Sequence, residues 1–134
     1  MRETTWDECL ENNSTRTMTP DEQRSASLIE TAFARLDVIG DVTEKNCNFV
    51  FEDYYTSIIE LIQARAFKEG YNIINHICLG FYLRDQLGRD DLFNIFDDLR
   101  YKRNSLTYYG KMMDFDLARH AIDRCKHLIE DVRI

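Results

Sequence analysis

The residues best suited to chemistry are gathered in one stretch, Leu99-Arg-Tyr-Lys-Arg-Asn-Ser-Leu-Thr-Tyr-Tyr-Gly-Lys-Met-Met113. Arg100, Lys102, Arg103 and Lys111 fall there with no carboxylate among them. At helical spacing Arg100, Arg103 and Thr107 share a face with Asn104 beside them, and Tyr108 and Tyr109 follow where the helix is expected to end. Guanidinium, amide, hydroxyl and aromatic ring are the groups that hold a phosphate and stack a base. A second reading stands beside this one: Arg100 and Arg103 pair with Asp97 and with acids of neighbouring helices, and the tyrosines fill the core. The residue types alone leave both open.

The other reactive side chains read more blandly. Asp116, His120, Asp123, His127 and Glu130 recur at steps of four, three, four and three, a spacing that can offer a metal nitrogen and oxygen ligands. They lie opposite the apolar stripe of the same segment, however, and alternating charge there describes a solvated face. No Glu-x-x-His pair of the di-iron bundle type occurs. Neither a metal nor a cofactor is expected. His76, beside Asn75 on an apolar stretch, reads as a satisfied core or interface histidine. Cys9, Cys47, Cys78 and Cys125 form no Cys-x-x-Cys pair, which argues against a zinc knuckle or a thioredoxin-type motif. Cys78 and Cys125 fall on apolar faces and read as buried free thiols, so a reducing, cytoplasmic setting is expected. The glycines at 40, 70, 80, 88 and 110 are isolated, so there is no phosphate-cradling glycine loop.

The elements that must position these groups are helices. A chain of 134 residues, 44% hydrophobic and 31% charged, suits one domain with a single core. One proline and five glycines are too few for a many-turned β-sandwich. Thr19-Pro20-Asp21-Glu22 reads as a helix start, followed by an inward face of Ile29, Ala32, Phe33, Leu36 and Ile39. A second helix is expected over 48–69, ending at Gly70, and a third over 72–87. The third is apolar nearly all round and is therefore either central or shared with a second subunit. Asp90 is expected to cap a fourth helix that stops near Gly110, and Asp114 a fifth with a clean stripe of Phe115, Ala118, Ile122, Cys125, Ile129 and Val132. The expectation is an all-α fold, an antiparallel up-and-down bundle of about five helices over 19–134, forming a homodimer through the third and fourth. Residues 1–18 are a polar extension in which Trp6 and Leu10 belong to a short helix packed back on the bundle. No run approaches a membrane span, and no apolar run follows the first basic residue as a secretory signal requires.

The net charge is −7, which argues against broad duplex DNA binding and against docking on anionic membranes. The excess is uneven. Residues 1–53 carry 12 acids and 5 bases, whereas residues 54–134 carry 12 of each, so a small local phosphate site in the second part is compatible with the total.

The order Arg103-Asn104-x-x-x-Tyr108 near the end of the penultimate helix resembles the HEPN family (higher eukaryotes and prokaryotes nucleotide-binding). Its signature is an arginine, a polar residue that is often asparagine, and a histidine five to seven positions after the arginine. Tyr54-Tyr55-x-Ser57-Ile58-x-Glu60, then Gly70-Tyr71 and the closing amphipathic helix extend the resemblance over about residues 19–132. It implies a helical domain that dimerises so that two arginine–histidine pairs face each other. Members are often metal-independent endoribonucleases, toxins paired with a nucleotidyltransferase antitoxin, while others bind without cutting. Tyr108 stands where the family has histidine. With a pKa near 10 a tyrosine is a poor base at neutral pH, though it can donate a proton or hydrogen bond.

The resemblance therefore implies a non-catalytic nucleotide- or RNA-binding regulatory module using Arg100, Arg103, Asn104, Thr107, Tyr108 and Tyr109. The alternative is a ribonuclease of toxin–antitoxin type, with Arg103 as phosphate clamp and Tyr108 as acid or hydrogen-bond donor. By analogy with such pairs, Tyr108 or Tyr109 is a candidate target for modification by a nucleotidyltransferase partner. A third expectation is a ligand-free interaction module whose acidic first part meets a basic protein.

Overall fold

The computed structural model describes residues 2–133. It is an all-α bundle whose described residues form six α-helices, one π-helical turn and a two-stranded ribbon. The central element is the long helix α3 (Cys47–Glu69), preceded by α1 (Trp6–Glu11) and α2 (Glu22–Asp37). Phe51, Tyr55, Ile58, Leu61, Ile62 and Ala66 are all buried on α3. It packs most extensively against α2 and against the last helix, α6 (Phe115–Val132). The start of α2 is set by Asp21, whose carboxylate accepts the Arg24 N–H at 2.9 Å; Thr19 and Pro20 lie outside the helix.

Gly70 ends α3 at φ +94°, in the left-handed region, and a Cβ there would stand 2.8 Å from the Met18 carbonyl oxygen. The glycine thus serves both the helix stop and the close approach of the amino-terminal chain. Beyond it the expected third helix is corrected. Residues Tyr71–Ile73 form a strand, β2, antiparallel to β1 (Thr15–Thr17), with Thr15 opposite Ile73 and Thr17 opposite Tyr71. The strand's polar partner lies in the segment that the sequence marked as an extension, so helical periodicity alone could not reveal the pairing. The helix proper, α4 (His76–Phe81), begins only after Asn75, whose side chain accepts the Cys78 N–H at 2.9 Å. It widens into a π-helical turn over Tyr82–Gln86, closed by the Leu87 N–H on the Tyr82 carbonyl at 3.0 Å.

The near-uniform apolarity of this stretch is accounted for within one chain, because the amino-terminal segment covers it. Trp6 is buried edge-on against Tyr71 and Tyr82, with ring centroids 5.2 and 5.4 Å away, and its backbone N–H donates to the Asp85 carboxylate at 2.9 Å. Cys9 of α1 is disulfide-bonded to Cys78 of α4. The reading of Cys78 as a free thiol is therefore corrected; the free cysteines are Cys47 and Cys125, both buried. Disulfides persist mainly in oxidising compartments, so the cysteines no longer argue for a reducing one. The short helix expected around Trp6 and Leu10 is α1.

Helix α5 (Asp90–Tyr109) starts at Asp90 itself, with Arg89 in the cap position, and ends at Gly110. Its inner residues Leu92, Phe96, Leu99 and Leu106 are buried, and Gly80 lets it approach α4, where a Cβ would meet the Phe93 and Phe96 rings at 3.3 Å. Helix α6 is capped by Asp114, which accepts the Leu117 N–H at 2.9 Å. Its acidic and histidine stripe (Asp116, His120, Asp123, His127, Glu130) is exposed throughout. No helix among the described residues is long and apolar enough to cross a membrane.

Candidate functional site

The carboxy-terminal half of α5 carries the cationic stretch, and the structure divides its members. Arg100 donates to Asp97 at 2.8 Å, and Lys102 donates to Asp98 at 2.5 Å, a carboxylate that also receives Arg124 at 2.8 Å. Arg103 differs. Among the described residues it has no carboxylate partner: its guanidinium lies over the Tyr55 ring at 5.6 Å and the Tyr108 ring at 5.7 Å, with a 3.4 Å contact to the Asn104 side-chain oxygen. The reading in which both arginines are neutralised thus describes Arg100 and not Arg103. The tyrosines are not core either, Tyr108 being 67% and Tyr109 83% exposed.

Two open clefts meet on this helix. The first, about 490 Å³, is lined by Arg2, Glu3, Asn75, His76, Ile77, Arg100, Arg103, Asn104 and Tyr108. The second, about 540 Å³, shares Arg2, Arg100, Asn104 and Tyr108 and adds Tyr101, Ser105, Tyr109 and Lys111. Four of the six expected ligand residues therefore line the first cleft and Tyr109 lines the second. Thr107 lines neither; its hydroxyl donates to Glu52 of α3 at 3.4 Å.

His76 lies in the first cleft at the start of α4, where Asn75 has just turned the chain from strand to helix. Its Nδ1 is 3.1 Å from the hydroxyl of Tyr55, and the two ring centroids are 5.8 Å apart. Tyr55 is buried, and burial raises its phenol well above the ordinary tyrosine range although Arg103 and Arg100 pull it down. The hydroxyl keeps its proton. His76 is its hydrogen-bond partner. Burial pushes the His76 pKa below its ordinary value of 6.5, and the positive charges of Arg103 and Arg100 push it further the same way. The ring at neutral pH is therefore the neutral form. The cleft holds an imidazole, two guanidinium groups, an amide and an exposed phenol ring, groups that suit an oxyanion with an attached base.

The amino-terminal segment completes the wall with Arg2 and Glu3. Glu3 accepts a hydrogen bond from the Ser14 hydroxyl, which lowers its pKa, and it is the one carboxylate lining either cleft. Sequence reasoning did not bring Tyr55, His76 or Arg2 to Arg103. The one local signal was Asn75 before His76, a helix cap that places the histidine on a first turn; its distance from Arg103 is set by packing between α4 and α5. Among the described residues no group of three or more His, Cys, Asp or Glu is arranged to hold a metal.

The fold and the site define an all-α bundle with an open, cationic, aromatic-lined cleft. Compared with known protein families, with curated proteins and with solved structures, the chain has no match.

Proposed function

We propose that the first cleft binds the phosphate of a nucleotide or of RNA, and that the chain is a HEPN-like regulatory module that holds this ligand without cutting it. The observation that carries the reading is Arg103, a guanidinium with no carboxylate partner among the described residues, set in an open cleft between two aromatic rings. Arg103 contributes the positive fork, the Asn104 amide and the His76 imidazole contribute neutral hydrogen bonds, and Tyr108 offers a face for a base. Holding is favoured over cutting because residue 108 is tyrosine where the resembled family has its proton-transferring histidine. The imidazole that does stand in the cleft, His76, has its Nδ1 engaged with the Tyr55 hydroxyl at 3.1 Å.

The second reading, a metal-independent endoribonuclease with Arg103 as phosphate clamp, has one observation in its favour. An imidazole stands in the arginine's cleft although residue 108 is tyrosine. In that case His76, freed by rotation of the Tyr55 hydroxyl, moves the proton. A homodimer that sets two such clefts face to face, a nucleotidyltransferase partner and a cytoplasmic location belong to the same family-based reading. They rest on the resemblance and the ligand, not on the cysteines.

The test is calorimetry with UMP and incubation with mixed RNA in EDTA, each repeated with Arg103→Ala. The expected result is UMP binding that the substitution weakens about 30-fold, and intact RNA throughout. RNA cleaved by the unaltered chain and spared by Arg103→Ala would establish the second reading. Binding indifferent to Arg103 would refute both.

A further inference from the structure

The two clefts are lobes of one groove. They share Arg2, Arg100, Asn104 and Tyr108, and Tyr108 stands between them. The phosphate reading above uses only the first lobe and leaves the second unexplained. That lobe adds a cation, Lys111, and two rings that no packing accounts for, Tyr101 at 70% and Tyr109 at 83% exposed. Arg103 lines only the first lobe and Lys111 only the second, so each lobe has a cation of its own, which is more than one phosphate group needs.

Resting on the phosphate reading, we infer that the groove takes an unpaired polynucleotide strand across at least two consecutive nucleotides, with Arg103 and Lys111 on successive phosphates and Tyr108 and Tyr101 as base-stacking faces. Three features select this occupant. The groove lining is cationic apart from Glu3 in a chain of net charge −7, so charge complementarity is local and points to a polyanion narrow enough to lie in it. Exposed rings beside cations are what sequence-tolerant single-strand sites are built from, because every base offers a π face. A duplex keeps its bases stacked on one another and would leave Tyr101 and Tyr108 without partners.

The test uses 5′-fluorescein-labelled hexauridylate with 2′-O-methyl riboses, which cannot be cut by a 2′-hydroxyl, its deoxyribose counterpart, a twelve-base-pair RNA duplex, and UMP. The hexamers are expected to bind at least tenfold more tightly than UMP or the duplex. Tyr101→Ala should weaken hexamer binding about tenfold while UMP is unchanged, and Tyr101→Phe, which keeps the ring, should restore it. Lys111→Ala should reduce the slope of log affinity against log salt by about 0.7 for the hexamer. The 2′-O-methyl and deoxyribose hexamers are expected to bind equally, as contacts to phosphate and base alone require. Hexamer and UMP of equal affinity, a duplex that binds as well as the hexamer, or a Tyr101→Ala chain that binds the hexamer normally would overturn the strand proposal. If Arg103→Ala still weakened UMP binding in that case, the phosphate site would stand. No binding of UMP or hexamer by the unaltered chain would end both.

Discussion

Two arginines in this molecule face opposite fates. Arg35 of α2 donates through both terminal nitrogens to the Glu60 carboxylate of α3, and contacts the Ser57 hydroxyl at 3.4 Å. Ser57 is fully buried and donates in turn to the Ala32 carbonyl at 3.1 Å. This cluster joins two helices, and its charge is neutralised where it is made. Arg103 of α5 has rings above and beside it, an amide at one edge and a cleft at the other. Ser57 and Glu60, which the family resemblance had grouped with Tyr55, belong to the Arg35 cluster and hold the fold, whereas Tyr55 underlies the cleft. Three residues from one helical stretch serve two different sites because α3 presents different faces to α2 and to α4.

The comparison is broken most severely through the chain that walls only one of the two sites. The Cys9–Cys78 bond closes a separation of 69 residues. Its reduction by dithiothreitol should lower unfolding free energy by about 4 kcal/mol on the loop-closure account, read as a lower denaturant midpoint. It acts beside the Arg103 cleft, since α1 follows directly on Arg2 and Glu3, and does not touch the Arg35 cluster. UMP affinity should therefore fall on reduction while the chain is still folded. An unchanged midpoint would mean that Trp6 packing and the β1–β2 ribbon hold this segment unaided.

Exchanging the two arginines for neutral residues sharpens the contrast. Arg35→Met should cost about 2 kcal/mol of stability, between the values for exposed and buried pairs because both partners are partly exposed, with UMP binding retained. Arg103→Ala should leave the melting temperature nearly unchanged and weaken UMP about 30-fold, the worth of about 2 kcal/mol for charge-assisted hydrogen bonds. If Arg103→Ala unfolds the chain, or Arg35→Met releases the nucleotide, the assignment of one arginine to the fold and one to the ligand is wrong.

The sequence showed these differences unevenly, for physical reasons. Helices α3, α5 and α6 were legible to within a residue or two, because their apolar spacing, Gly70, Gly110 and the Asp114 cap are all local signals. The stretch at Tyr71–Ile73 was not. Its β-branched and aromatic residues suit a strand, but the strand exists only with Thr15–Thr17 beside it, and a pairing across more than fifty positions leaves no mark on periodicity. The Cys9–Cys78 bond is hidden for the same reason. At the site, the absence of carboxylates between Arg100 and Lys111 was visible, yet which cation would be paired was not. Asp97 lies three residues before Arg100 and claims it, whereas six residues separate it from Arg103. His76 sits 27 positions before Arg103, so only the packing of α4 on α5 brings both to one cleft.

The smallest effect separates the cleft from the Arg35 cluster by pH, since the cleft contains a histidine, His76, and the cluster does not. Burial and the cations of Arg103 and Arg100 hold the His76 pKa below 6.5. Between that lowered value and 6.5 the unfolded chain binds more protons than the folded one. The His76 contribution to stability is therefore complete above about pH 6.5 and is lost as pH falls toward the folded value. Ligand binding runs the other way. An anion beside Arg103 offsets the repulsion, raises the His76 pKa and takes up a proton, so affinity should increase as pH falls through the same range. Glu3 is held low by Ser14 and titrates beneath this window, and Tyr55 titrates far above it; the other charged groups lining the cleft are the guanidinium groups of Arg2, Arg100 and Arg103. With a cyclic phosphodiester such as 3′,5′-cyclic AMP, whose own charge is constant here, the gain between pH 7 and 5.5 should be about threefold, since the site is open and screened. His76→Gln keeps a hydrogen-bonding amide but cannot titrate, and should flatten the profile while leaving the neutral-pH affinity close to that of the unaltered chain. A profile that stays steep in His76→Gln would show that another group carries the proton and would remove His76 from the phosphate site.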